Sequence, residues 1–181
     1  MKRSILTLVI TTFCLAVVAQ KKISTSATIA FDASTAIDNL PKAENKTVVA
    51  AVDTDKNTVQ FEATIKNFAF SNPRIQEHFN QPNWLNSDAF PKATFNGVIT
   101  NPSSVNFKKD GTYNVVVDGD LTIKGITKKV ITPAVIIVAG KSLKATASFT
   151  VKLEDYLIEG TAINTGKVAR EPKITVSAEL N

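Results

Sequence analysis

Tyr113-Asn114-Val115-Val116-Val117-Asp118-Gly119-Asp120-Leu121-Thr122-Ile123-Lys124-Gly125 is the stretch whose reading decides the fold. Tyr113, Val115, Val117, Gly119, Leu121 and Ile123 form one apolar or small face, with Asn114, Asp118, Asp120 and Thr122 opposite. Period two is the signature of a strand with one buried face. Lys124-Gly125 supplies turn chemistry, and Thr127 to Val138 resumes in β-branched residues. The gap is far too short for a crossover helix, so the two runs read as an antiparallel hairpin.

Working outward, the same alternation recurs in Ile23 to Phe31, Thr47 to Val52, Asn57 to Ile65, Ala93 to Thr100, Leu143 to Leu153 and Lys173 to Leu180. With the hairpin this predicts eight strands, separated by turns such as Asp53-Thr54-Asp55-Lys56 and Ala139-Gly140-Lys141. One segment departs from period two. Pro73 can open a helical turn, Ile75, His78 and Phe79 then share a face, and Pro82 ends it, so a short helical insertion is expected near residues 73–87.

Eight antiparallel strands with one apolar face leave no open edge if they close into a barrel, and a barrel of that size is either filled by side chains or holds one small ligand. The expected fold is therefore all-β, an eight-stranded antiparallel barrel. Several inward positions are small, namely Ala63, Gly97, Gly119, Ala145, Ala147 and Ala178. Two readings stand side by side: these residues offset the phenylalanines opposite, or they leave a tunnel. Strand alternation places Phe31, Phe61, Ala63, Phe95, Val117, Ala147, Phe149 and Val176 on the lining of that interior.

Composition sets the remaining bounds. In 181 residues, 44% hydrophobic and 20% charged, there is material for one core and no sign of a disordered, collagen-like or multi-span chain. Met1-Lys2-Arg3, an apolar run from Ile5 to Val18 and Ala19 before Gln20-Lys21-Lys22 describe a secretory signal peptide over residues 1–19, with the barrel domain over 20–181. The expected location is periplasmic or secreted, with no transmembrane anchor left after cleavage. Removing Lys2 and Arg3 takes the formal charge from +5 to +3. That excess, scattered in short pairs, does not describe a nucleic-acid partner.

Catalytic signatures are missing. The sequence holds no G-x-S-x-G, H-E-x-x-H, G-x-x-x-x-G-K or G-x-G. Its one cysteine, Cys14, lies in the leader, and one histidine, His78, cannot make a four-ligand zinc site. Asp53-Thr54-Asp55-Lys56-Asn57 copies half of a calcium loop, but Thr58 replaces the required glycine, so a polar turn is expected instead. No metal, cofactor or catalytic residue is assigned. His78, with Glu77 and Asp88 near in sequence, reads as structural. Asn45-Lys46-Thr47 has the glycosylation form only.

Two blocks carry a resemblance. Gln76-Glu77-His78-Phe79-Asn80 with Ser87-Asp88-Ala89-Phe90-Pro91-Lys92-Ala93-Thr94-Phe95, and then Asp118-Gly119-Asp120-Leu121-Thr122-Ile123-Lys124-Gly125-Ile126-Thr127-Lys128, resemble the YceI-like family of exported bacterial proteins. The strand pattern aligns from about Ile29 to Leu180. The resemblance implies a lipocalin-like barrel whose interior holds a polyisoprenoid or related fatty lipid as ligand, without enzymatic activity. A charged lipid head would need donors at the mouth, and Arg74, His78, Asn80 and Trp84 on the insertion are the candidate mouth and head-group residues. Longer members begin with an additional strand-rich segment that this chain does not match, so a barrel that is shorter, or closed differently, is expected. The alternative is a filled barrel acting as an interaction or stress-response protein with no lipid. N-terminal sequencing of the exported form is expected to begin at Gln20, and retention of Met1 in a cytoplasmic fraction contradicts the leader.

Overall fold

The computed structural model describes residues 21–181; the leader, its cut after Ala19 and Cys14 lie outside the described residues. The elements in chain order are β1 (Lys21–Asp32), β2 (Lys42–Asp53), β3 (Thr58–Thr64), β4 (Ala69–Phe70), α1 (Pro73–Asn80), β5 (Lys92–Ile99), β6 (Gly111–Ile123), β7 (Ile126–Ala139), β8 (Ser142–Thr150), α2 (Thr161–Asn164) and β9 (Lys173–Leu180).

Eight of these strands close a barrel in the order β1-β9-β8-β7-β6-β5-β3-β2, with β2 returning to β1. The two-residue β4 is an appendage on the start of β2, where Ala43 pairs with Phe70. Every pairing is antiparallel, as hairpin connections require. Closure depends on β1, which pairs along one side with β2, from Lys21 opposite Asp53 to Asp32 opposite Lys42, and along the other with β9, from Thr28 opposite Ser177 to Asp32 opposite Lys173.

The ladders give the barrel two distinct ends. Lys21, Asp53 and Leu180 lie at one, beside the turns that join β2 to β3 and β7 to β8. At the other lie Asp32, Lys42, Thr64, Lys92, Thr150 and Lys173, and from here the two long excursions, residues 65–91 and 151–172, leave and return. We call it the lid end.

The helical expectation over 73–87 resolves into α1 followed by turns. Asn72 caps the helix by accepting a hydrogen bond from Arg74 N at 2.9 Å, and Pro73 occupies the first helical position, where no amide partner is needed. Gln81, extended before Pro82, ends it. Phe79 is buried and packs against Phe31, Phe68 and Phe70 with ring centroids 5.7, 5.8 and 4.9 Å away, which fastens α1 across the lid end.

Two strand boundaries differ from expectation by more than two residues. β2 begins at Lys42 instead of Thr47, because its inward positions include Ala43 and a wholly buried Asn45, which disguise the alternation as a polar stretch. Asn45 donates through Nδ2 to Thr64 O and accepts from Thr47 N and Oγ1, all at 2.9 Å, so its amide is enclosed and closed to a sugar. β8 stops at Thr150, short of Leu153, since Leu153–Tyr156 winds into a 3-10 turn that buries Leu153 and Tyr156.

The β6–β7 hairpin has Lys124 at φ 52° and Gly125 at φ 75°, the two left-handed positions a two-residue antiparallel turn demands. The Phe90 ring comes within 2.7 Å of where a Cβ on Gly125 would stand. Outward positions are tied by polar pairs, Thr122 to Thr127 at 2.8 Å and Asp120 to Lys129 at 3.2 Å, and Lys124 Nζ donates to Leu157 O at 3.1 Å. Asp120, Thr122 and Lys124 thus have structural partners.

Gly97 and Gly119 face each other across β5 and β6, and the Phe95 ring lies over both. A Cβ on Gly119 would stand 2.5 Å from that ring and 2.7 Å from both the Asn96 carbonyl and the Gly97 Cα. Backbone cannot yield as a side-chain tip can. Gly119→Ala is therefore expected to destabilise the barrel by about 1–3 kcal/mol despite removing a flexible residue from a strand, whereas Gly160→Ala changes the urea midpoint little.

Candidate functional site

The strands place one apolar face inward, and their side chains do not meet everywhere. They leave a cavity of about 160 Å³ inside the barrel. Its shape follows from which residues face which. β7 and β8 present small side chains, Ala134, Ala145 and Ala147, with Ala134 directly opposite Ala147 in the ladder. Halfway round the sheet order from β8 lies β3, which contributes Phe61. A wall of alanines facing a phenylalanine across the barrel keeps free space, whereas Phe95 on its two glycines occupies the room they create.

All eight residues expected on the lining reach the cavity: Phe31, Phe61, Ala63, Phe95, Val117, Ala147, Phe149 and Val176. Of the small inward residues, Ala63, Ala145 and Ala147 border it, and Gly97, Gly119 and Ala178 do not. Polar atoms enter only through Thr94, Thr132 and Thr146, and no charged, amide or imidazole side chain takes part. The Thr132 hydroxyl turns to the Pro133 carbonyl at 3.1 Å. An apolar void of this character stays dry, and a cavity of about 150 Å³ elsewhere admits a benzene ring.

Both excursions at the lid end finish the lining. The insertion contributes Ile65, Phe68, Phe79 and Leu85; the segment 151–172 contributes Val151, Leu153, Ile158 and Pro172. The second lid lacks any sustained period and escaped the sequence reading, although its apolar Val151, Leu153, Ile158 and Ile163 were a visible signal. The two lids meet where the Trp84 indole nitrogen lies 3.7 Å from the position of a Cβ on Gly160.

None of Arg74, His78, Asn80 and Trp84 borders the cavity. Arg74 and His78 are exposed on α1, Asn80 donates through Nδ2 to Gln76 O at 2.7 Å, and Trp84 packs against the core. Asp88, a possible orienter of His78, is bonded instead to Lys66 at 2.6 Å. Within the second lid, burial and the neighbouring Asp155 carboxylate push the Tyr156 phenol up to about 12, so it stays a neutral donor, aimed at Leu121 O 3.5 Å away. Among the described residues no three His, Cys, Asp or Glu side chains gather as a metal site, and no helix is long and apolar enough to cross a membrane.

Comparison with known proteins places this geometry. The pattern of the YceI-like domain matches residues 16–180. BcnA of Burkholderia cenocepacia superimposes with a TM-score of 0.70 at 18% identity, covering 86% of this chain and 96% of its own. A polyisoprenoid binding domain from Saccharophagus degradans, implicated in plant cell wall breakdown, reaches 0.74 at 11% identity, covering 90% and 98%. The YceI protein of Campylobacter jejuni gives 0.52 at 16% identity, covering 99% and 98%. At these identities the likeness speaks for the fold. No curated protein matches the chain.

The cavity makes a stability prediction. Ala147→Trp sends its ring into space already present and is expected to cost less than about 1 kcal/mol in chemical denaturation. Ala178→Trp, at a buried position off the cavity, is expected to show the overpacking cost of about 1–3 kcal/mol.

Proposed function

The chain belongs to the YceI-like domain family, and from that premise we propose that it is an exported, non-enzymatic binder of a long apolar lipid, of polyisoprenoid type, held inside the barrel. The observation that carries this reading is the dry cavity with an apolar lining that all eight candidate side chains reach. A polyisoprenoid tail has no polar group to satisfy, so a wall of phenylalanine, valine, isoleucine and alanine suffices for it. Each methylene removed from water contributes roughly 0.8 kcal/mol, so affinity grows with the length that can be enclosed. The present volume seats a ring-sized body, and enclosing a longer chain requires lining side chains other than the glycine-seated Phe95 to move. The polyisoprenoid binding described for the Saccharophagus degradans neighbour supports the same ligand class. Export to the periplasm rests on the leader-like order of residues 1–19.

A filled barrel acting through its loops is the rival reading, and Phe95 seated on Gly97 and Gly119 favours it. One experiment separates the two. Mass spectrometry of an organic extract of the protein purified from the periplasm of its native host is expected to show a stoichiometric isoprenoid lipid, absent from Ala147→Trp. An empty extract, together with no uptake of added isoprenoid, establishes the filled barrel.

A further inference from the structure

The second lid, residues 151–172, has a cavity on each side of it. Inward, Leu153 and Ile158 face the apolar interior; outward, the same two residues and Ile163 floor an open recess of about 330 Å³ rimmed by the exposed side chains of Lys152, Glu154, Glu159, Asn164, Arg170 and Glu171. Leu153 and Ile158 are only 4% and 2% exposed, and Ile158 N donates to Leu153 O at 3.1 Å. Leu157 makes the tight return between them in a left-handed conformation, φ 53°, and its carbonyl is held by Lys124. The partition between dry interior and polar recess is thus formed by these two side chains.

Charge decides what the recess can hold. Lys152 is bonded to Glu154 at 3.2 Å. Arg170 makes no ion pair among the described residues, and it shares the recess with Glu159 and Glu171. Two cations against three carboxylates leave a net charge of −1, counted over Lys152, Arg170, Glu154, Glu159 and Glu171. The carboxylate field also shows in Lys152, whose ammonium is held above its ordinary range by Glu154 first, then Asp155 and Glu171. A diphosphate brought here meets like charge with one unpaired cation to receive it. A neutral hydroxyl can accept from Arg170 and donate to a glutamate, and a carbonyl can accept from Arg170 or Asn164.

We propose that this recess receives the head of the bound lipid, that the head is an uncharged hydrogen-bonding group, an alcohol or a carbonyl, and that the chain reaches the interior past Leu153 and Ile158 when the hydrogen bond from Ile158 N to Leu153 O opens. The proposal rests on the lipid-binding reading above. Trp84, the single tryptophan, lies against Gly160 next to Glu159 and gives an intrinsic fluorescence signal for occupancy of this region.

The test titrates the full exported protein with farnesane, farnesol and farnesyl diphosphate, by Trp84 fluorescence and calorimetry. Farnesol is expected to bind about tenfold more tightly than farnesane, the gain from a hydrogen bond to a charged group, with the diphosphate no tighter than the hydrocarbon. Arg170→Ala should abolish the advantage of farnesol while leaving farnesane affinity and the thermal midpoint unchanged. An advantage that survives Arg170→Ala places the head elsewhere, and equal binding of farnesol and farnesane by the parent protein removes the head site; both overturn this proposal and leave the lipid-binding reading intact. Tightest binding by the diphosphate overturns the uncharged head. Binding of none of the three brings down the lipid-binding reading itself.

Discussion

Everything inside this molecule depends on β1 finding a partner along both edges. A sheet of eight amphipathic strands left open would expose two rows of unpaired amides and carbonyls beside an apolar face, a template for aggregation. Pairing β1 with β2 and with β9 satisfies both edges at once and encloses the apolar face on itself. The register of β1 against β2 shifts between Ser24 and Ala27 and again between Ala27 and Ile29, which is where the strand bends to serve two neighbours. The described residues contain no cysteine, so backbone hydrogen bonds and side-chain packing carry this closure.

Closure alone does not explain why space remains within. The two blocks shared with the YceI-like family touch each other in the fold: Phe90 covers Gly125, and Phe95 covers Gly119. Phe90 and Phe95 of the first block thus each require a glycine in the second, and the pair of contacts locks β5 to the β6–β7 hairpin on one side of the barrel. The free volume is left to the other side, where alanines of β7 and β8 look across at Phe61. Both readings of the small inward residues hold, each at its own place: the glycines accommodate a ring, and Ala145 and Ala147 border a void.

The strand pattern was legible because burial is one-sided. Val59, Phe61 and Ala63, or Leu121 and Ile123, can alternate with polar neighbours only in a strand, and a slip of one residue would exchange the faces. Legibility failed where an inward position is polar, as at Asn45, whose buried amide replaces with three hydrogen bonds the apolar residue that pattern reading expects. It failed again over 151–172, where Leu153, Ile158 and Ile163 are buried from a 3-10 turn, a left-handed return and a single helical turn, three geometries with no common period. Arg74 and His78 illustrate a different gap: charge and a helical face can be read from sequence, but the side of the insertion that meets the barrel is chosen by Phe79.

The hydrogen bonds between Ile23 and Asn181, each amide to the other's carbonyl at 3.3 Å, set the two limits of the barrel side by side at the end opposite the lids. A tether, tag or surface linkage attached before Lys21 or after Asn181 therefore holds the molecule by its base, with Leu153, Ile158 and Phe79 turned away from the point of attachment. Immobilisation through either terminus presents the lids to solution, and a link made through residues 65–91 or 151–172 turns them to the support.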